Sequence, residues 1–301
     1  PKPASLRVDS DGNWLANYHL GANEQIDVEA LVGVQLFTQP QAFYPKTPIN
    51  RKANLESSEF WQTKDSSIID ASAALGTPKA IYDYVVQNLS YDYGRVREGV
   101  QRLGAIEALQ KKNNAICMEF TDLFVALSRA SGIPAREING FAYTDNPRLQ
   151  PLSLVADVLH AWPEYWDSEL GVWIPVDPTW GNTTGGVDYF SKFDLSHVTF
   201  AIHGKSSTSP LPAGSYKIAG NPQKDVIVYF GNLPSEREAK ISLVAFVDKK
   251  LFPFLPYKGY LTIKNNGPVA LYDLSPILEK STGQIELSQS SIDFLGPFSE
   301  V

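Results

Sequence analysis

Asn113-Asn114-Ala115-Ile116-Cys117-Met118-Glu119-Phe120 carries the single cysteine of the chain, at a point where a loop turns into a helix. Downstream, Phe120, Leu123, Phe124, Leu127 and Ala130 recur at spacings of three and four, the period of a helix with one buried stripe. Gly132 supplies the residue after the last turn, and Pro134 forbids continuation. The stripe itself reads as core, so the helix holds its first residue rigidly. A thiol on that first turn lies beside unpaired backbone N–H groups and the positive end of the helix dipole, a setting that favours thiolate. A lone cysteine followed by a placed His and Asp is a candidate nucleophile.

Those partners lie downstream, where the pattern changes to strands at Arg136–Tyr143, Val158–Trp166 and Val172–Val176. Val158, His160 and Trp162 share one strand face, as do Trp173, Pro175 and Asp177. The polar loop Asp167-Ser168-Glu169-Leu170-Gly171 joins the last two strands as antiparallel neighbours, bringing His160 opposite Asp177. The expected chemistry follows from the residue types. Cys117 is the nucleophile, His160 takes its proton and later protonates the leaving group, and Asp177 orients the imidazole. Each ring nitrogen of His160 then has its own task, one toward sulfur and one toward the carboxylate. The backbone N–H of Cys117 is a candidate oxyanion donor.

Around this centre the remaining chain divides by composition. Residues 1–67 form a β-rich N-terminal region, with a hairpin turning at Asp11-Gly12 and a half-buried strand over Ile26–Leu36. The Asp9/Asp11/Asn13 spacing resembles a calcium loop, but the glycine comes two places early and the twelfth position is Leu20, so it reads as a turn. Residues 68–208 form the catalytic core. It opens with a helix capped by Thr77-Pro78 and striped by Ile81, Tyr84 and Val85, followed by a short helix over Ala105–Lys111. Residues 204–224 are rich in Gly, Ser and Pro and read as a linker. Short strands at Val226–Phe230, Lys240–Val247, Gly259–Lys264 and Ile285–Leu287 suggest an immunoglobulin-like β-sandwich over 222–301.

Composition narrows the partners. At 301 residues the chain has room for about two domains. A net charge of −7 with no basic cluster argues against nucleic acid. No apolar run of about 18 residues is present to cross a membrane. The chain opens on Pro1 and its one methionine is Met118, so it reads as a fragment, with room for a leader or membrane anchor outside it. His197 and His203 read as structural and His19 as a surface or strand residue; no Cys/His spacing supplies a metal site.

Four blocks together resemble the transglutaminase-like superfamily, in its order and approximate spacing: Asn114–Phe120, Leu127–Arg136, His160–Trp166 and Trp173–Trp180. The likeness covers roughly 77–203 and includes Asp188-Tyr189-Phe190 and Asp194-Leu195-Ser196-His197, which look like its bacterial and archaeal branch. It implies an α+β, papain-like core, a Cys-bearing helix on an antiparallel sheet, with Cys117, His160 and Asp177 as the triad. The family often has glycine where this chain has Ala115. No cofactor is expected, with calcium left open because some members use it. The implied activity is amide acyl transfer on a peptide or protein. Hydrolysis is favoured over cross-linking, and the other readings are a protein-glutamine transglutaminase and a non-catalytic scaffold module. Trp162 and Trp180 are candidates to line the cleft and bind an apolar acyl side chain, whereas Trp166 and Trp173 read as core. The β-rich flanks suggest an extracytoplasmic, anchored prokaryotic protein.

Overall fold

In the computed structural model, residues 3–38, 51–97, 100–152, 159–211, 226–232, 238–248, 258–277 and 291–301 are described. Their elements run β1 (Ser5–Val8), β2 (Trp14–Asn17), α1 (Ser66–Ser72), α2 (Pro78–Asn88), α3 (Gly104–Gln110), α4 (Cys117–Ala130), β3 (Ala135–Ala142), β4 (Leu159–Asp167), β5 (Val172–Pro175), α5 (Pro178–Thr183), β6 (His197–His203), β7 (Ile241–Val247), β8 (Gly259–Asn265), β9 (Leu271–Leu274) and β10 (Ile292–Leu295). Of the described residues, those up to Gly33 and from Asn232 onward fall into one compact unit and those between Val34 and Gly231 into another.

The larger unit is α+β and papain-like in arrangement, with α4 at its centre. From Glu119 to Arg129 every residue of this helix is buried, because α1, α2, α3, α5 and the β3–β4 ladder all pack on it. Phe120, Leu123, Phe124 and Leu127 meet Trp61, Ile81 and Val85 in one continuous core. The helix stops where expected: Gly132 takes φ +79, a left-handed value that costs glycine little. Arg129, in the last turn, donates to the carbonyls of Ala135, Glu56 and Gly204 at 2.6–2.9 Å, tying the helix end to its surroundings.

A four-stranded antiparallel sheet in the order β5-β4-β3-β6 faces this helix. His160 lies opposite Gly140 in the β3–β4 register. A Cβ at Gly140 would fall 2.1 Å from the Val198 carbonyl oxygen and 2.6 Å from the Trp162 ring. Glycine therefore lets β6 and Trp162 close on β3 beside the histidine. Among the elements missed from sequence is α1, a seven-residue helix whose Asp65 accepts from Ser67 N at its cap. It is too short to show a full apolar stripe.

In the smaller unit the β1–β2 hairpin turns as expected. Asp9 accepts from the backbones of Asp11 and Asn13 at 2.9 Å, and Gly12 takes φ +95. This is turn chemistry, with the Asp9 carboxylate spent on its own loop. Two further antiparallel pairs, β7–β8 and β9–β10, make up the described sheet of the C-terminal region, with Ile263, Leu271 and Leu295 as its small core. Among the described residues these are two-stranded ladders, with Lys264 of β8 bridged to Glu300 near the chain end. Trp14 packs edge-on against Phe294 at 5.6 Å, so the N-terminal hairpin and the C-terminal strands share this unit.

Two expected strands do not form among the described residues. Neither 26–36 nor 227–230 takes part in a ladder there, and Leu31 and Val32 are 79% and 72% exposed. Alternation alone cannot make a strand where no neighbouring chain takes its hydrogen bonds. The expected strand Ile285–Leu287 and Val158 lie outside the described residues.

Candidate active site

The start of α4 is fixed by an acidic side chain three residues in. Ile116 is extended, and Glu119 folds back so that its Oε2 accepts from Ile116 N at 2.9 Å. Its Oε1 accepts from Leu103 N at 2.9 Å, and Arg95 pairs with it at 3.0 Å. Upstream, Asp92 N donates to Ala115 O at 2.8 Å, and Tyr91 bridges Ala115. Ala115, where the family often has glycine, is fully buried and held by this bridge. Cys117 is thus the first residue of a helix pinned on both sides, and it is fully buried. Its N–H, at the first position, has no carbonyl partner within the helix.

His160 and Asp177 meet as the strand pattern implied, though by a different route. β5 ends at Pro175, so Asp177 is not a strand residue. It is the N-cap of α5: Oδ1 accepts from Trp180 N at 3.0 Å, while Oδ2 accepts from His160 Nε2 at 2.9 Å. The turn before Pro178 and the role toward histidine are served by one carboxylate, each through its own oxygen. With Nε2 engaged, Nδ1 is left buried and without a hydrogen-bond partner, available to the Cys117 thiol. Burial alone would strip the ring of its proton. Asp177, by charge and hydrogen bond, and then Cys117 reverse that and carry His160 up to about 9. Burial also opposes the charge on Asp177, but His160 and then His197 hold its carboxyl well below the usual carboxylate range.

Sequence reasoning missed His197. It was expected to be structural, yet its Nε2 lies 3.3 Å from the same Oδ2 of Asp177, and its Nδ1 lies 2.8 Å from Asp194 Oδ1. The signal present in sequence was Asp194-x-x-His197, but nothing local says that it reaches Asp177. That contact depends on β6 pairing beside β3, where His197 lies opposite Ala142. The ligand-type atoms of His160, Asp177 and His197 fall within 4.8 Å of one another. Each is engaged in the hydrogen-bond chain, and one carboxylate with two imidazoles is not the oxygen set that calcium takes.

The tryptophans surround this chain. Trp180 is fully buried and stacks on His160 at 5.2 Å and 16°, its Nε1 donating to Pro151 O at 3.3 Å. Trp162 lies edge-on to His197 at 4.9 Å and borders a solvent-open hollow of about 150 Å³, shared with Phe37, Pro175 and Phe193. Trp166 and Trp173 pack on each other at 5.6 Å, and Arg136 covers Trp173. His203 is buried 3.6 Å from Glu137, away from the triad, and His19 is exposed.

A thiol at the start of a buried helix, faced by a His–Asp pair on an antiparallel sheet, defines the class of papain-like thiol sites. Residues 63–178 match the model of the transglutaminase-like superfamily, and this stretch, which includes Cys117, His160 and Asp177, is a domain of that superfamily. Over 176 residues the chain is 24% identical to a protein-glutamine gamma-glutamyltransferase from Pseudomonas aeruginosa, covering 57% of this chain and 26% of that protein. It thus spans about a quarter of that relative's length. Among solved structures, a candidate cysteine protease from Cytophaga hutchinsonii is 22% identical with a TM-score of 0.39, over 52% of this chain and 48% of that one. The periplasmic domain of TgpA from Pseudomonas aeruginosa is 23% identical with a TM-score of 0.31, over 45% and 50%.

Proposed function

We propose that this chain is a thiol-dependent amide acyl-transfer enzyme acting on a peptide or protein, with hydrolysis as its main outcome. The observation that carries the reading is the division of labour on His160: Nε2 on Asp177, Nδ1 without another partner and beside Cys117. Cys117 Sγ attacks the amide carbonyl carbon while its own N–H steadies the developing oxyanion. His160 gives its proton to the departing amine, the C–N bond breaks, and a thioester remains on sulfur. Water then attacks the thioester, His160 takes the proton of that water, and the acid leaves as the thiol is restored.

Trp162 is the proposed contact for an apolar acyl side chain because it borders the hollow, whereas Trp180 serves as the wall behind His160. Cys117, His160 and Asp177 are each at most 1% exposed, so substrate must part the cover to reach sulfur. The proposed mechanism uses no cofactor, so activity should survive chelation of calcium. An extracytoplasmic location is proposed with it, on the β-rich flanks, and a full-length chain without a leader or membrane segment would remove that part.

A second reading, protein-glutamine cross-linking, takes support from the glutamyltransferase named above, in which an amine would replace water as acceptor. A scaffold role is disfavoured by the intact triad. The deciding experiment offers peptide-library amides to the protein with and without a primary amine. Free acid in both conditions supports hydrolysis, amine incorporation supports cross-linking, and full turnover by Cys117→Ala would sink the thiol mechanism.

A further inference from the structure

The triad does not end at Asp177. Both ring nitrogens of His197 face carboxylate oxygens, Asp177 Oδ2 at 3.3 Å and Asp194 Oδ1 at 2.8 Å. A neutral imidazole has one N–H and one bare lone pair, so it would turn a lone pair toward one of these carboxylates. The imidazolium serves both. Although burial opposes its charge, the hydrogen bonds to Asp177 and Asp194 raise His197 from its ordinary value. An aromatic cage holds the ring: Phe193 at 4.4 Å, Trp180 at 4.5 Å and Trp162 at 4.9 Å.

The result is a row of alternating charges: Asp194, His197, Asp177, His160 and, in the reacting form, the Cys117 sulfur. Oδ2 of Asp177 is shared by two N–H donors, so the negative charge available to His160 is divided. The two imidazole rings lie 5.8 Å apart, close enough for a cation on one to disfavour a cation on the other. We propose that His197, held between Asp177 and Asp194, is a positioning residue that shares the charge of Asp177 and thereby sets how readily His160 gives and takes its proton. His197 touches no reacting atom and acts through Asp177. Both residues of this added arm lie beyond the stretch matched by the family model. The inference deepens the acyl-transfer reading and rests on it for its meaning.

Other titratable groups face the same region. Glu119 and its partner Arg95 lie at the start of α4, Tyr91 near Cys117 and Asp177, Tyr82 on α2 against Asp177, and Tyr189 near Asp177 and Asp194. The three tyrosines are all raised by burial, and so stay neutral across the range in which histidine titrates. Glu119 is fixed by Arg95 and backbone donors. His197 is therefore the group whose charge changes what His160 feels through Asp177.

The chain has four histidines, His19, His160, His197 and His203, so ring-labelled NMR can follow each one through a pH titration. His197→Gln keeps an amide donor toward Asp177 and removes the charge. The expected result is an upward move of the His160 midpoint by about one pH unit. A lower melting temperature with an unmoved His160 midpoint overturns the proposal and leaves His197 merely structural. Asp194→Asn covers the case in which the first variant does not fold, since the Asp194 side chain is 32% exposed. It lets His197 Nδ1 accept from the new amide, and His197 should then lose its proton at lower pH; an unchanged His197 titration also overturns the proposal. Failure of the acyl-transfer reading shows separately, as a His160 titration indifferent to Cys117→Ala together with an unreactive thiol.

Discussion

Two of the buried ionic clusters among the described residues of the larger unit differ in how they end, one beside a thiol and the other closed on itself as a clamp. In the first, Cys117, His160, Asp177, His197 and Asp194 form a row in which one atom, His160 Nδ1, has no hydrogen-bond partner. In the second, Arg102, just before α3, donates to Asp122 on α4 at 2.9 Å and to Glu137 on β3 at 2.5 Å. Asp122 also accepts from Trp61 Nε1 at 2.9 Å, Glu137 from Asn139 Nδ2 at 2.8 Å, and Arg102 gives its remaining arm to Ser207 O at 3.0 Å. Each carboxylate of the clamp has donors from two side chains, so it joins three elements and offers nothing to a substrate. The row leaves an open end beside a thiol. Buried charges must be compensated in both places; what sets the row apart is that its unpartnered ring nitrogen belongs to a His–Asp pair and lies beside a thiol.

Mutations should break this comparison cleanly. Cys117→Ala is expected to lose amide turnover by a factor on the order of 10⁶ while melting near the wild-type temperature, read by turnover and circular dichroism. Asp177→Asn should reduce turnover by roughly 10²–10⁴, because the imidazole loses its charged partner. Asparagine can still cap α5 through the Trp180 N–H, but the charge facing His160 and His197 is lost, so its urea stability should fall by about 2–3 kcal/mol at pH 7. Asp122→Ala should spare turnover. It leaves Arg102 buried with one partner fewer and should cost about 3–5 kcal/mol in urea unfolding, with turnover per folded molecule intact. Equal loss of activity and stability in all three variants would erase the distinction between row and clamp.

The smallest effect is in pH. His160 is raised above its unfolded value to about 9, so its pairing stabilises the fold fully below the unfolded value and is lost as pH rises through 9. Between pH 7 and pH 10 this removes about 2–3 kcal/mol from the wild type. His160→Gln should flatten that slope, and urea titrations at the two pH values measure it. Asp177, held low, keeps its contribution through the mildly acid range, so no comparable loss is expected from pH 7 down to pH 5.

Much of the site could be read from residues alone, for reasons that differ from one element to the next. The stripe from Phe120 to Ala130 with Gly132 and Pro134 places Cys117 at a helix start, because periodicity and stop signals act over a few residues. The short loop between β4 and β5 makes them neighbours, and so brings the His160 and Asp177 segments together. Alternation over 26–36 misled, because a strand needs a partner that the segment itself does not contain. Asp177 was expected on a strand, yet Pro178 at the first helical position turned it into a cap.

By itself, then, the sequence determined the nucleophile-bearing helix, its ends, the hairpin that carries the histidine, and the identity of the three residues that meet. Tertiary structure alone decided which carboxylate oxygen serves which partner and that His197 and Asp194 extend the row. It also decided that Arg102, Asp122 and Glu137 close on one another. Helix stripes, caps and hairpins are contacts between residues near in the chain. The charge partners depend on the order β5-β4-β3-β6 and on what packs against it, and that order is set by contacts between residues far apart.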